Sequence, residues 1–295
     1  MLFDPVLLSA IDDLELVARV MVDGTVSGLH RSPFHGYSAE FHQYRHYRPG
    51  DDLKYIDWKL FARTDRLYTK QYRETTNMVA QIAIDASGSM AYSGRTGISK
   101  IAYARLLAAA LAHLVSRQGD AVGSVAFGDR IRQYVPSRTG ASHLRGLLIS
   151  LTKIEASGET AAAASLGRAI DLLRRRGLLV VLSDLYDEGD AVERELKRAV
   201  RIGHEVAIFH VLTPDEIEFS FRGDMEFADL ETGRTIVASP EALAPAYRRD
   251  VAEFLEGWRS RCAALGIDYV RARTDMPPDG VLRGYLLRRS GGPSR

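Results

Sequence analysis

The chain has 295 residues of which 46% are hydrophobic, enough for one large α/β domain, or a domain with an appendage, to bury a real core. Its 39 Lys and Arg face 38 Asp and Glu, and the formal charge of +1 excludes a global field that would recruit nucleic acid or anionic lipid. Any such contact must come from a local patch.

The N-terminus, "MLFDPVLLSAIDDLEL", carries acids where a signal peptide needs a basic region, and its apolar spacing predicts an amphipathic helix near Leu7 to Val22. The next stretch, "VSGLHRSPFHGYSAEFHQYRHYRPGDDLKYIDWKLFARTDRLYTKQYRE", is dense in aromatic, histidine and basic residues without clean periodicity. Its aromatic content and fixed turns such as Pro49-Gly50 argue against a disordered tail. Residues 1–77 are therefore expected to form an ordered N-terminal appendage. From Met78 the pattern changes to β-branched runs alternating with helical ones, the signature of a parallel sheet covered on both faces. The strands read as "MVAQIAID", "AVGSVAFG", "LLVVLSD", "EVAIFHVL" and "IDYVRA", with helical runs between them. "DRIRQYV" comes too soon after "SVAFG" for a crossover helix, so an antiparallel edge strand is expected after a tight turn at Gly128-Asp129. A hairpin insertion about 215–238 is expected around "ETGR". The last helical run, with Cys262 in "FLEGWRSRCAALG", places the single cysteine in the core and rules out an intramolecular disulfide. No stretch reaches the ~18 apolar residues that cross a bilayer. The expectation is a cytoplasmic protein without a membrane span.

Asp85 closes the first strand of the alternating region and Asp184 closes "LLVVLSD" about a hundred residues later. In a doubly wound sheet, loops leaving the two strands that flank the switch point form one crevice, so topology brings both carboxylates together. Two adjacent carboxylates repel unless a proton or a cation lies between them. Ser87 and Ser89 add neutral oxygens from the bend "DASGSM", and Thr160 in "GETAAAASLGRAI" offers a third hydroxyl. All-oxygen ligation suits magnesium, with calcium or manganese as alternatives, and leaves a coordination place that an acidic side chain of a partner would fill.

Asp85, Ser87, Ser89, Thr160 and Asp184 resemble, in order, the metal-ion-dependent adhesion site of the von Willebrand factor A fold. That resemblance implies a doubly wound, mostly parallel sheet with one antiparallel edge strand. Two departures stand out: the usually glycine-rich approach to the threonine is "SGETAA", and Leu185 stands where glycine usually comes after the last aspartate, with Asp187 as a substitute outer-shell carboxylate. A second resemblance spans nearly the whole chain. Tyr47-Arg48-Pro49-Gly50-Asp51-Asp52, then Ile56-Asp57-Trp58, and the ending "VLRGYLLRR" are similar to the bacterial family called domain of unknown function 58, in which such a segment precedes a von Willebrand A-like domain at 78–295. The resemblance implies a metal-dependent protein-interaction module working with a MoxR-type AAA+ ATPase, or its client, in assembly, chaperoning or activation of other proteins.

Rival readings attach to the same residues. A hydrolase would use Ser87 or Ser89 as nucleophile with His210 as base, but no Gly-x-Ser-x-Gly elbow surrounds either serine. His30, His35, His42 and His46 invite zinc, yet Tyr44, Tyr47 and Pro49 argue for extended chain rather than the helix that would align His42 with His46. Arg45, Arg48, Lys54 and Lys59 among aromatics suggest a nucleic-acid surface, countered by Asp51, Asp52 and Asp57, which would pair with them. No phosphate-binding Gly-x4-Gly-Lys-Ser/Thr loop is present, so ATP hydrolysis would belong to a partner.

Overall fold

In the computed structural model the described residues are 3–11, 13–26, 39–48, 51, 56–74, 78–158, 162–173, 175–186, 190–230 and 233–291. The chain forms two compact units, one of residues 1–33 with 79–295 and the other of residues 34–78. The N-terminal helical segment thus belongs with the sheet and not with the aromatic segment that comes after it.

The first unit is built on a six-stranded sheet. Its strands are β3 (Val79–Asp85), β4 (Ala121–Phe127), β5 (Ile131–Arg138), β6 (Leu178–Ser183), β7 (Glu205–Leu212) and β10 (Asp268–Arg273), in the order β10-β7-β6-β3-β4-β5. All neighbours are parallel except β4 and β5, which pair antiparallel across the tight turn at Gly128 to Arg130. This is the von Willebrand A-like arrangement, including the edge strand expected from the short spacing after "SVAFG". Strands β3 and β6 are buried almost throughout, which explains why they read as continuous apolar runs rather than alternating ones.

Helix α4 (Lys100–Arg117) lies across one face of the sheet, with α2 (Leu14–Val26) and α10 (Pro278–Gly291) packed on it. Its alanines at 108, 109, 110 and 112 are fully buried, and such small side chains let neighbouring backbones approach closely. The N-terminal helix expected near Leu7 to Val22 is two pieces: α1 (Pro5–Ser9), capped by Asp4, precedes α2. The opposite face is covered by α6 (Ala162–Asp171), α7 (Ala191–Arg201) and the 26-residue α9 (Pro240–Leu265). Leu166, Ile170, Leu196, Trp258 and Cys262 from these helices meet Val125, Val181 and Ile208 of the sheet in one apolar core. Burial pushes the Cys262 thiol up to about 12, so it is a core group. The α5 helix (Ala141–Thr152) comes after the edge strand. The insertion consists of α8 (Pro214–Glu218) and an antiparallel hairpin of β8 (Met225–Ala228) with β9 (Thr235–Ala238), anchored where Phe219 stacks on Phe227 and Tyr247.

In the second unit, β1 (Ala39–His46) and β2 (Tyr68–Glu74) form an antiparallel pair with a bulge between Phe41 and Gln43, and α3 (Trp58–Thr64) lies between them in sequence. Asp57 caps α3 by accepting from the Lys59 and Leu60 amides, and its other oxygen accepts from the Tyr44 hydroxyl at 2.9 Å. Asp51 accepts from Arg45 at 2.7 Å and from the Arg48 amide at 2.9 Å. The Arg48 amide bond and the Arg45 guanidinium hold its carboxyl below the usual range. Asp51 thus pairs with Arg45 as expected, whereas among the described residues the bonds to Asp57 come from backbone amides and a hydroxyl rather than from a lysine or arginine side chain; Asp52 and Lys54 lie outside the described residues. His42 and His46 fall on β1, about 13 Å apart along a strand rather than one helical turn apart. His30 and His35 lie outside the described residues.

Candidate functional site

The sheet order reverses between β3 and β6, and the register there pairs Ile84 with Leu182. One step further, the Ser183 hydroxyl donates to Asp85 Oδ2 at 2.7 Å, so the two strand ends meet through side chains. Asp85 Oδ1 accepts from the Ser87 amide at 3.0 Å, which bends the chain sharply after the strand. Ser87 is buried and Ser89 partly exposed, with their hydroxyl oxygens 3.1 Å apart. Gly88 is required in this bend, since a Cβ would stand 2.7 Å from the Leu230 carbonyl oxygen and 2.9 Å from that of Gly158.

The loop leading toward Thr160 is tied to the same bend. The Ser157 amide donates to the Ala86 carbonyl at 3.0 Å, and the Gly88 amide to the Gly158 carbonyl at 2.9 Å. Arg132 of the edge strand clamps the junction by donating to the Ala86 carbonyl at 2.7 Å and the Ser157 carbonyl at 2.6 Å. A cleft of about 650 Å³ opens beside it, lined by Asp129, Arg130, Ile131, Arg132, Ser157 and Gly158. Thr160 and Asp187 lie outside the described residues.

Asp184 is 1% exposed, and its environment differs from that of Asp85. Lys100, also 1% exposed, donates from Nζ to Asp184 Oδ2 at 2.7 Å and to Glu216 Oε1 at 2.5 Å. Burial disfavours this ammonium, but Asp184 and then Glu216 outweigh burial and raise its pKa. Leu185, standing where glycine was the expectation, has a left-handed backbone with φ of 56°. That costs a non-glycine residue about 1 kcal/mol. Its amide donates to Ser183 Oγ at 2.9 Å and its side chain is buried, which holds the strained turn in place.

Among the described residues Asp85 has no ammonium or guanidinium hydrogen-bond partner. Burial, and then the charge of Asp184, push its carboxyl up to about 6, against the pull of the Ser183 and Ser87 bonds. Asp184 and Glu216 share one ammonium and Asp85 stands beside them without one, so with all four groups ionised two negative charges remain, which one divalent ion would balance. The donor set suits such an ion. Adjacent oxygens around an octahedral magnesium at ~2.1 Å stand about 3.0 Å apart, close to the Ser87 to Ser89 separation of 3.1 Å. Among the described residues no three His, Cys, Asp or Glu side chains converge in a metal-binding group. A cation here would therefore depend on hydroxyls and water as well as carboxylates.

His210, the imidazole of the hydrolase reading, is fully buried in β7. One ring nitrogen is 2.7 Å from the Tyr269 hydroxyl and the other 2.7 Å from the Asp184 carbonyl oxygen, so both are engaged away from the serines. Burial holds its pKa down at about 4, leaving it neutral and structural at physiological pH.

Fold and cleft together define a von Willebrand A-like α/β domain. The chain belongs to the family described as protein of unknown function DUF58, whose sequence model matches residues 43–255. An uncharacterized protein of Mycobacterium tuberculosis is 30% identical over 280 residues, 92% of this chain and 86% of the relative. Among solved structures, an aerotolerance-related membrane protein from Bacteroides fragilis aligns with a TM-score of 0.47 at 18% identity, over 72% of this chain and 99% of that one. The conserved hypothetical protein BatB from Bacteroides thetaiotaomicron aligns with a TM-score of 0.45 at 21% identity, over 73% and 100%. Among the described residues of this chain no single helix is long and apolar enough to cross a membrane.

Proposed function

We propose that the chain is a protein-interaction module whose cleft at the ends of β3 and β6 holds a divalent cation, magnesium first, and uses it to grip a carboxylate of a partner. The observation that carries this reading is the buried Asp85. Its carboxylate has neutral donors, lies beside a second carboxylate, and starts the bend that carries two hydroxyls 3.1 Å apart, a separation that adjacent ligands of one hard cation also have. Ser87, Ser89 and Asp85 would hold the ion, with Asp184 and, by the family resemblance, Thr160 completing the set. The bound ion would supply a positive centre with an open coordination place, which an acidic side chain fills. Arg130 and Arg132, on the wall of the adjoining cleft, favour the approach of such a side chain.

The partner class comes from the family resemblance: a MoxR-type AAA+ ATPase, or its client, with the present chain working in the cytoplasm as the adaptor. The test is a binding assay with the purified ATPase in magnesium and in chelator. Capture enhanced by magnesium and abolished by Asp85→Ala, with the variant still folded, supports the reading. Capture indifferent to both ends it. Labelling of Ser87 or Ser89 by a serine-reactive probe, lost in His210→Gln, would favour hydrolysis instead.

A further inference from the structure

Lys100 opens helix α4, where the aligned peptide dipoles disfavour a cation, and it is buried. Both circumstances are unfavourable unless carboxylates hold the ammonium. Asp184 and Glu216 do so, and the ring of Tyr186 lies 5.2 Å from Nζ. Glu216 cannot turn aside freely. Its Oε2 accepts from the Thr213 amide at 2.7 Å while the Glu216 amide donates to Thr213 Oγ1 at 3.3 Å, the capping box that starts α8, and the Thr213 hydroxyl donates to the same Oε2 at 3.0 Å. The ammonium is therefore fixed between the end of β6 and the start of the insertion, on the same carboxylate that the cleft would offer to a metal.

We infer that Lys100 is a built-in counter-ion that occupies Asp184 and keeps the divalent-ion affinity of the free cleft low, so that tight binding needs the added negative charge of a partner's carboxylate. The inference rests on the reading of the cleft as a divalent-ion site. It makes ion and partner binding mutually reinforcing, because each brings the charge the other lacks. A fixed positive charge bonded to Asp184 at 2.7 Å repels a cation that approaches the same carboxylate, and its hydrogen bond withholds one of that carboxylate's oxygens.

The test is calorimetric titration of the full chain with magnesium alone, in the wild type, in Lys100→Met, and in the double variant Lys100→Gln with Glu216→Gln. The double variant keeps hydrogen-bonding groups and the capping box, and it leaves the cluster's net charge as in the wild type. It isolates the freeing of Asp184 from the change in charge and serves if Lys100→Met does not fold. The expected result is magnesium binding about tenfold tighter or more in the variants than in the wild type, with a correspondingly larger rise in thermal midpoint. Binding in the folded variants no tighter than in a wild type that does take up magnesium overturns the role of Lys100 and leaves the cleft reading standing. No uptake by the wild type or by either variant overturns both.

Discussion

Asp85 and Asp184 close neighbouring strands at the same end of the sheet and are almost equally hidden from water, yet they are supported in opposite ways. Asp85 is held by an amide and a hydroxyl, and its charge is left uncompensated. Asp184 is bonded to a buried ammonium that a third carboxylate shares. The difference teaches that a cleft can be half neutralised from within: one carboxylate has a buried ammonium, and the other has only neutral donors among the described residues.

The comparison breaks most visibly at Lys100. Lys100→Ala leaves Asp184 and Glu216 buried without their cation, and urea unfolding should show a loss of about 3–5 kcal/mol. Asp85→Asn should cost under about 1 kcal/mol, since it removes a charge the fold already penalises. Equal losses in the two variants would contradict the asymmetry.

His210 tests the Asp184 side through pH. Its folded pKa of about 4 lies below the ordinary 6.5, so its stabilising effect is complete above about pH 6.5 and is lost as pH falls toward 4. The effect amounts to about 3 kcal/mol over that window. In His210→Gln that part of the acid sensitivity should vanish, as read from urea midpoints at pH 7 and pH 4; an unchanged dependence would contradict the assignment.

The Asp85 side is sharpened by Gly88→Ala, which drives a methyl into the carbonyls of Leu230 and Gly158. Thermal unfolding should register a loss of about 1–3 kcal/mol. The smallest expected effect on stability is that of Arg130→Glu, whose exposed side chain should change it by less than about 0.5 kcal/mol. Capture of the proposed ATPase partner should nonetheless fall, most at low salt.

Much of this arrangement was legible in the residues. The switch from irregular to alternating pattern near Met78, the short gap before "DRIRQYV", and the acids at two strand ends fixed the sheet, its antiparallel edge and the pairing of Asp85 with Asp184. Lys100 was not legible, because one lysine in a helical run looks like a solvated position until the fold buries it beside two distant acids. Ser183 was hidden in the same way: inside "LLVVLSD" it reads as the tail of a strand, and only the register with β3 makes it the donor to Asp85. The packing of α2 on α4 joins segments too far apart in sequence for local periodicity to connect. In the 34–78 unit the β1 and β2 pair carries mixed polar and aromatic residues, so period-two alternation gives little warning of it.

The most direct measurement is a titration of the chelator-stripped full chain with manganese, monitored by the electron paramagnetic resonance of the free ion, beside Asp85→Asn and Lys100→Met. The account predicts that the wild type takes up one ion per chain and that Asp85→Asn leaves manganese free. No uptake at millimolar concentration by the wild type or by Lys100→Met, or an Asp85→Asn variant that binds as well as the wild type, would contradict it.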